Sequence, residues 1–564
     1  MRSKQTENNN RKKYEWLLIA TGLVILECIF FRRLIRDDKF PGGDTALIMM
    51  ECDHWYDVFR YGHGLTEMRA FWPVNMWLGG SDMMLGEGLL HSLLRMAGCD
   101  LFSAYIITVV ITHFIGVIFL WLLLKNIGIK RIYIIAAEVI SFFSCSFVSF
   151  SGHSQFFSFS YMAVLFWAIE RIFHYRSDSE KDNRYKRYLY EFIAILFYGL
   201  SFLTAFYVGY FMTIWMGLTA VFLVIICRKK CKAILKWIKD HIAETFVCLA
   251  AQIWWIYPFC KVYLPMLALS GGGYSDEEVA LFSADWSDIF RTISKAPLER
   301  LWNSMVKHSL SADMEMWRET VEAEVSSGYP VITVLLFVFA LIMLIRNVRR
   351  EESKNENRLG VMSAMAVSTL LCFFIFLKFG DSSLWIVLRK IIPGGSSVRA
   401  VGRILGMMSL PIAIVTACVC DHSIRAKGKF NHVAGVIVVA LLIASNICDI
   451  PVQFDISDMR DSIATVPQAP DDCRVMILFD GSDISNRYST QMKSWMIASA
   501  NDLYTVNGYS GNFPPGWNLA YTGDVDDYIN RVVSYLEIYG ATEMSGIYIY
   551  DCGTGSWIPF DVVR

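Results

Sequence analysis

The chain alternates long apolar runs with short clusters of charge. A membrane-crossing helix needs about 20 mostly apolar residues. About eleven runs approach that length, beginning near Tyr14, Ser103, Ile132, Phe156, Leu189, Val208, Ile242, Gly328, Leu359, Val401 and Val433. Thr45–Tyr61 has helical spacing with an apolar side (Leu47, Ile48, Tyr56, Phe59), and Asp53 and Asp57 lie one turn apart on one face. Beyond the last run the pattern changes. Arg474–Phe479 and Gly546–Tyr550 read as strands and Val525–Tyr539 as a helix. The expected fold is an all-α polytopic bundle of about 11 transmembrane helices with a small α/β domain at its C-terminal end.

Lys and Arg set the expected orientation, because they accumulate in short cytoplasmic loops. The N-terminal tail, Lys125–Arg131, Arg171–Arg187, Arg228–Lys239, Arg346–Arg358 and Arg425–Lys429 together hold more than half of the 52 basic residues. Placing these inside gives a cytoplasmic tail over 1–13 and a membrane domain over 14–448. The outer loops are then 32–102, 265–327 and a shorter one from Asp381 to Ala400. An extracytoplasmic domain over 449–564 follows. Arg32-Arg33 follows the first apolar run where a cleavage site would need small residues, so the run reads as a retained helix.

Composition agrees. The 564 residues are 54% hydrophobic and 19% charged, and the mean hydropathy is +0.39; these values exclude a soluble enzyme and a disordered scaffold. A net charge of -1 argues against nucleic acid as a partner. The 14 cysteines show no zinc spacing. Cys473 and Cys552, both in the C-terminal domain, could be bonded or reduced.

Candidate chemistry collects on the outer face. Gly42-Gly43 makes a tight turn that can aim Asp44 at the membrane surface. Asp37 and Asp38 precede it. Glu51-Cys52-Asp53 has an E-x-D form that could hold a divalent cation such as Mg or Mn; the plainer expectation is an interfacial helix with a solvated acidic side. His153 lies in a short outer turn, Ser151–Phe156, where it could bind phosphate or a sugar hydroxyl, or cap a hairpin. Arg399 and Arg403 are four apart at the start of a span, so a helix would project both guanidinium groups from one face toward an anion. Tyr207 and Tyr210 stand at another outer junction, where aromatic residues are commonly structural. The polar features lie at one face, and no internal repeat of the kind common in transporters is visible.

Taken together, Gly43-Asp44, Phe71-Trp72-Pro73 leading to Leu78-Gly79-Gly80, Gly152-His153, Phe206-Tyr207-Val208-Gly209-Tyr210, Arg399 to Arg403, and Val506-Asn507-Gly508-Tyr509-Ser510-Gly511-Asn512-Phe513-Pro514-Pro515 resemble the YfhO-like bacterial membrane proteins within the GT-C-fold glycosyltransferase group. The chain is shorter than such proteins usually are and has no strict D-x-D. The resemblance implies a multi-pass plasma-membrane enzyme that moves a sugar from a polyprenyl-phosphate-linked donor to a cell-envelope glycan or glycolipid acceptor. It implies Asp44 as the base, with Glu51, Asp53, Asp37 and Asp38 as acceptor or metal candidates. It places Arg399, Arg403 and His153 at the donor phosphate, and Tyr207 and Tyr210 along the substrate groove. The other expectations are a transporter or flippase for lipid-linked cargo, and a non-catalytic accessory protein of the same fold.

Overall fold

The computed structural model describes residues 19–564 apart from 75, 176–180, 270–272, 306–323, 349–355, 381, 425–429, 447, 483–487, 521–523, 542 and 564. Each expected apolar run falls on a helix. Among the described residues seven helices are long and apolar enough to cross a membrane: Leu101–Asn126, Arg131–Val148, Ser154–His174, Phe206–Ile226, Ile242–Leu269, Arg358–Phe376 and Val401–Ser423. Three further apolar helices are shorter, Ile19–Phe30, Val331–Arg346 and Val433–Ser445. The remaining run belongs to Lys181–Thr204, whose first half is charged. The expected eleven equivalent spans are therefore seven long ones and four helices of shorter or mixed character. The chain is a polytopic helical membrane protein. Val401–Ser423 lies at the centre of the bundle with its whole apolar window buried, whereas 6% of the window of Ile242–Leu269 is buried.

Thr45–Tyr61 is a helix over the expected residues, but it is not interfacial. Glu51, Asp53 and Asp57 are all buried. Asp57 accepts two hydrogen bonds from Arg69, at 2.7 and 2.9 Å, and Arg69 also reaches Asp502 and the carbonyl of Leu503. Asp53 is held by His91, Arg95 and Ser499. The acidic side of this helix thus faces protein partners, including Ser499 from the C-terminal part of the chain, rather than water.

That part forms a four-stranded sheet. Its strands are β3 (Val475–Phe479), β4 (Tyr504–Thr505), β5 (Ile547–Asp551) and β6 (Ser556–Pro559), in the order β4-β3-β5-β6. The first three run parallel and β6 is antiparallel. Helices Ser489–Ala500 and Val525–Ile538 complete the α/β unit. A second, two-stranded sheet joins β1 (Lys39–Phe40) to β2 (Phe454–Asp455), tying the chain after the first apolar helix to the chain that leaves the last one. Cys473 and Cys552 are both free.

Two motifs far apart in sequence form the clasp between these parts. Asn507 is fully buried and bonds the backbone of Leu478 on both sides, as well as Gln491 and Tyr528. Its carbonyl accepts from the N–H of Phe71. A Cβ on Gly508 would stand 2.7 Å from the Phe71 ring, so glycine is what lets the ring close in. Asn512 then exchanges bonds with Trp77 and Gly80. Asn507–Asn512 is therefore a docking element for Phe71–Gly80.

Candidate functional site

The site begins with two glycine turns. Gly43 has φ +68°, and a Cβ there would lie 2.8 Å from the carbonyl oxygen of Gly152. A Cβ on Gly152 would in turn lie 3.0 Å from the carbonyl oxygen of Gly42. Only residues without side chains let the two loops approach so closely. The N–H of Asp44 donates to the Gly152 carbonyl at 2.9 Å, which puts Asp44 beside His153. Asp44 occupies the cap position of helix Thr45–Tyr61, but its side chain makes no capping hydrogen bond. A carboxylate there normally binds the first N–H groups of its helix; here it is turned to another partner.

That partner is His153. Its Nδ1 lies 3.2 Å from Asp44 Oδ2, and its Nε2 lies 3.4 Å from Glu324 Oε1. Glu324 in turn accepts two hydrogen bonds from Arg403, each 2.6 Å. The guanidinium of Arg403 lies over the rings of Phe156 and Tyr207. The four groups form a line, Asp44–His153–Glu324–Arg403, drawn from four separate segments. Exposure falls along it: 33% of the Asp44 side chain is open and 23% of His153, against 8% for Glu324 and 10% for Arg403. The carboxylate is thus the end of the line that faces outward.

The charges hold one another. Burial and the charge of Arg403 push the His153 imidazole down, but Glu324 and Asp44 outweigh them and raise it to about 9. Burial would raise Asp44; the close approach and charge of His153, with the charge of Arg403, outweigh it and keep the carboxyl below its ordinary range. Glu324 is likewise buried yet held well below its ordinary range by Arg403 and His153. The alternation of sign along the line explains why all four stay ionised in a poorly hydrated place.

This arrangement sets a pH dependence. His153 is raised from 6.5 to about 9 on folding, so its contribution to stability is complete below 6.5 and is lost as pH climbs through 9. Asp44 and Glu324 are depressed from 3.8 and 4.5. Their contribution is complete above those values and fades in acid. The unfolding temperature of the purified protein should form a plateau from about pH 5 to 7 and decline toward pH 9. His153→Gln should remove the alkaline decline; a decline of unchanged size in that variant would detach it from His153.

Other carboxyls crowd the inner side. Asp82 accepts the N–H of Phe206 at 3.0 Å, and burial raises it to about 6 despite that bond and Arg403. Burial, with Asp82 and Asp44 nearby, holds Glu51 well above its ordinary range even though Ser81 bonds it; one of its oxygens is buried without a partner among the described residues. Glu87, one turn beyond, is raised to about 8 by burial. Asp44 is the member of this group held below its ordinary range, because it meets His153.

Several expectations change against this geometry. Glu51 and Asp53 do not share an opening. Asp53 is consumed by His91, Arg95 and Ser499, on the far side of the helix from Asp44's partners. Asp37 pairs with Arg33 and Arg36, and Asp38 with Arg460, both away from the line. Among the described residues no group of three or more His, Cys, Asp or Glu side chains is placed to hold a metal ion. Glu51 and Asp53 of the E-x-D segment thus meet different neighbours, Ser81 for Glu51 and His91, Arg95 and Ser499 for Asp53.

Arg399 and Arg403 do not share a helix face either. The chain passes through a short 3-10 turn at Gly395–Ser397, is extended at Val398, and enters a second turn at Val401–Arg403 before the helix begins. Arg403 is neutralised by Glu324 and supports His153. Arg399 is half-buried, lies over Tyr274 and Phe282 at 5.3 and 4.9 Å, and has no carboxylate partner among the described residues. His153 stands at a cap position without capping and is already flanked by two carboxylates, so it is not free for phosphate. The Tyr207 hydroxyl accepts the N–H groups of Arg399 and Ala400 at 2.9 and 3.3 Å, which fixes the backbone under both arginines. Tyr210 is buried against Phe206 and Trp385.

Glu324 and Asp82 were not singled out from the sequence. Glu324 is one of several acidic residues shortly before a span, and no local pattern distinguishes it. Asp82 sits in the irregular stretch after Leu78-Gly79-Gly80, a motif whose glycines were visible but whose neighbouring acid had no periodic context.

No family model matches this sequence, and no curated protein matches it. Among solved structures the chain is similar to the cryo-EM structure of the arabinofuranosyltransferase AftD from mycobacteria, with a TM-score of 0.51 and 12% identity. The similarity covers 88% of this chain and 32% of that one, so this chain spans about a third of the length of the larger protein. At that identity the likeness concerns the fold alone.

Proposed function

We infer that the protein is a membrane glycosyltransferase of the GT-C type that takes its sugar from a polyprenyl-phosphate donor. The observation that carries this is the partly exposed Asp44 carboxylate held beside His153, together with Arg399, which has no carboxylate partner among the described residues and precedes Arg403 by one short turn of chain. A lipid-linked donor keeps its tail in the bilayer and its phosphate at headgroup depth, where Arg399 offers the unneutralised charge. In this reading Asp44 accepts the proton of an acceptor hydroxyl through the oxygen that His153 leaves open. The acceptor oxygen bonds to the anomeric carbon as the bond from that carbon to the phosphate oxygen breaks, with inversion. The electron pair leaves with the phosphate, and Arg399 offsets its charge. Glu324 and Asp44 keep His153 protonated, and Arg403 holds Glu324 in place beside it. Asp82, held nearest a working pH, is the second candidate for the base. The acceptor is a cell-envelope glycan or glycolipid, and the active face is the outer one.

The first experiment is to compare cell-envelope glycans with and without the gene. An unchanged glycan profile removes the transferase reading and favours a carrier of lipid-linked cargo. Donor recognition is tested on the purified full chain with farnesyl phosphate as the probe. Wild type should be stabilised against heat, and Arg399→Ala should bind about tenfold or more weakly. Equal stabilisation of both would return Arg399 to a structural role.

A further inference from the structure

At the opposite membrane face lies a feature that the proposed reaction does not use. Helix Phe206–Ile226 carries Tyr207 at one end; its 21 residues place the other end about 30 Å away. There the chain turns into helix Arg228–Asp240, followed directly by Ile242–Ala251, the start of the next span. Its sequence, Arg228 to Asp240, holds six basic residues and one acidic. Arg228, Lys232, Lys236 and Lys239 recur at helical spacing along one side, and all four are exposed. None of the four pairs with a carboxylate among the described residues.

The other side is apolar. Cys231, Ile234, Trp237 and Ile238 are half-buried, and Leu235, at the seam, is 62% exposed. Trp237 is pinned by stacking on His241 and by the guanidinium of Arg187 at 5.2 Å, and Cys231 bonds the carbonyl of Leu223. The helix is thus fastened between two spans at the edge of the apolar zone. An apolar underside and an uncompensated cationic upper side at that depth match one kind of surface, hydrocarbon below and anionic headgroups above.

We propose that helix Arg228–Asp240 is an in-plane anchor that binds the anionic lipids of the leaflet opposite the Asp44 site. An acidic protein partner fits less well, because the helix joins a span at each end and its half-buried apolar side is held down by Cys231 on Leu223 and by Trp237 against Arg187. The proposal is independent of the transferase reading.

The test uses the purified full chain in detergent mixed with dioleoylphosphatidylglycerol or dioleoylphosphatidylcholine, and reads bound lipid by native mass spectrometry. Wild type should retain the anionic lipid at least about tenfold better than the zwitterionic one. That preference should shrink when salt is raised to about 1 M, where screening acts within about 3 Å. Inorganic phosphate at the same concentration should not displace the lipid. The triple variant Lys232→Gln, Lys236→Gln, Lys239→Gln should lose most of the preference, and the triple Arg replacement should keep it. Equal retention of the two lipids by wild type overturns the proposal, as does a preference that survives both salt and the Gln variant. Should the Gln variant fail to fold, the salt series and the Arg variant decide.

Discussion

Cells that carry Asp44→Asn in place of the wild-type gene should show the glycan profile of the gene deletion, with the protein present in the membrane at normal level. The substitution keeps the size of the side chain and the backbone bond from Asp44 to Gly152, so the turn at Gly43 has no reason to change. What is lost is the negative charge at the open end of the line. The amide cannot take a proton from an acceptor hydroxyl. Loss of a positioned base costs about 10²–10⁴-fold in rate, enough to leave the envelope unmodified over a growth cycle. Asp82→Asn serves as the comparison. If that variant is silent and Asp44→Asn retains a normal glycan, the base has been assigned to the wrong carboxylate. If Asp82→Asn alone abolishes transfer, the proton passes to the carboxyl held near 6.

Arg403→Ala should destabilise the protein more than any other single change at the site. Arg403 is bonded to both oxygens of Glu324, and the Glu324 side chain keeps only 8% of its surface. Removing one member of such a buried pair leaves an uncompensated charge, at a cost of about 3–5 kcal/mol. Removing both charges, with Arg403→Met and Glu324→Gln together, should recover most of that loss, because no ion is then stranded. Activity should not return, since His153 is left with Asp44 alone and the line loses its inner support. Thermal unfolding of the single and double variants separates the two effects. A single variant as stable as wild type would show that Glu324 is solvated or neutral in the folded protein. A double variant with normal transfer would confine the pair to folding.

The division between what was legible in the chain and what was not follows from the range of the forces involved. Helices of the membrane part were legible because apolar runs announce themselves locally. Thr45–Tyr61 and the strands at Val475–Phe479 and Ile547–Asp551 were legible from side-chain period. The glycine turns at Gly43 and Gly152 were visible as motifs, but that they press against each other is a fact of packing. Periodicity could place Asp53 and Asp57 on one face; it could not tell whether that face met water or Arg69 and Arg95. Four-residue spacing suggested that Arg399 and Arg403 act together. The backbone between them is extended and turned, so one guanidinium meets Glu324 and the other is left open.

By itself the sequence determined a many-pass helical membrane protein and marked Asp44 and His153 by the glycine turns beside them. Hydrophobicity and turn chemistry act over a few residues, so they can be read from neighbours. The tertiary structure alone decided which charges meet. Glu324 lies 171 residues from His153, and the distance over which an ion pair forms is a few ångströms in space, whatever its separation along the chain. That pairing turns two isolated residues into a line that holds its charge.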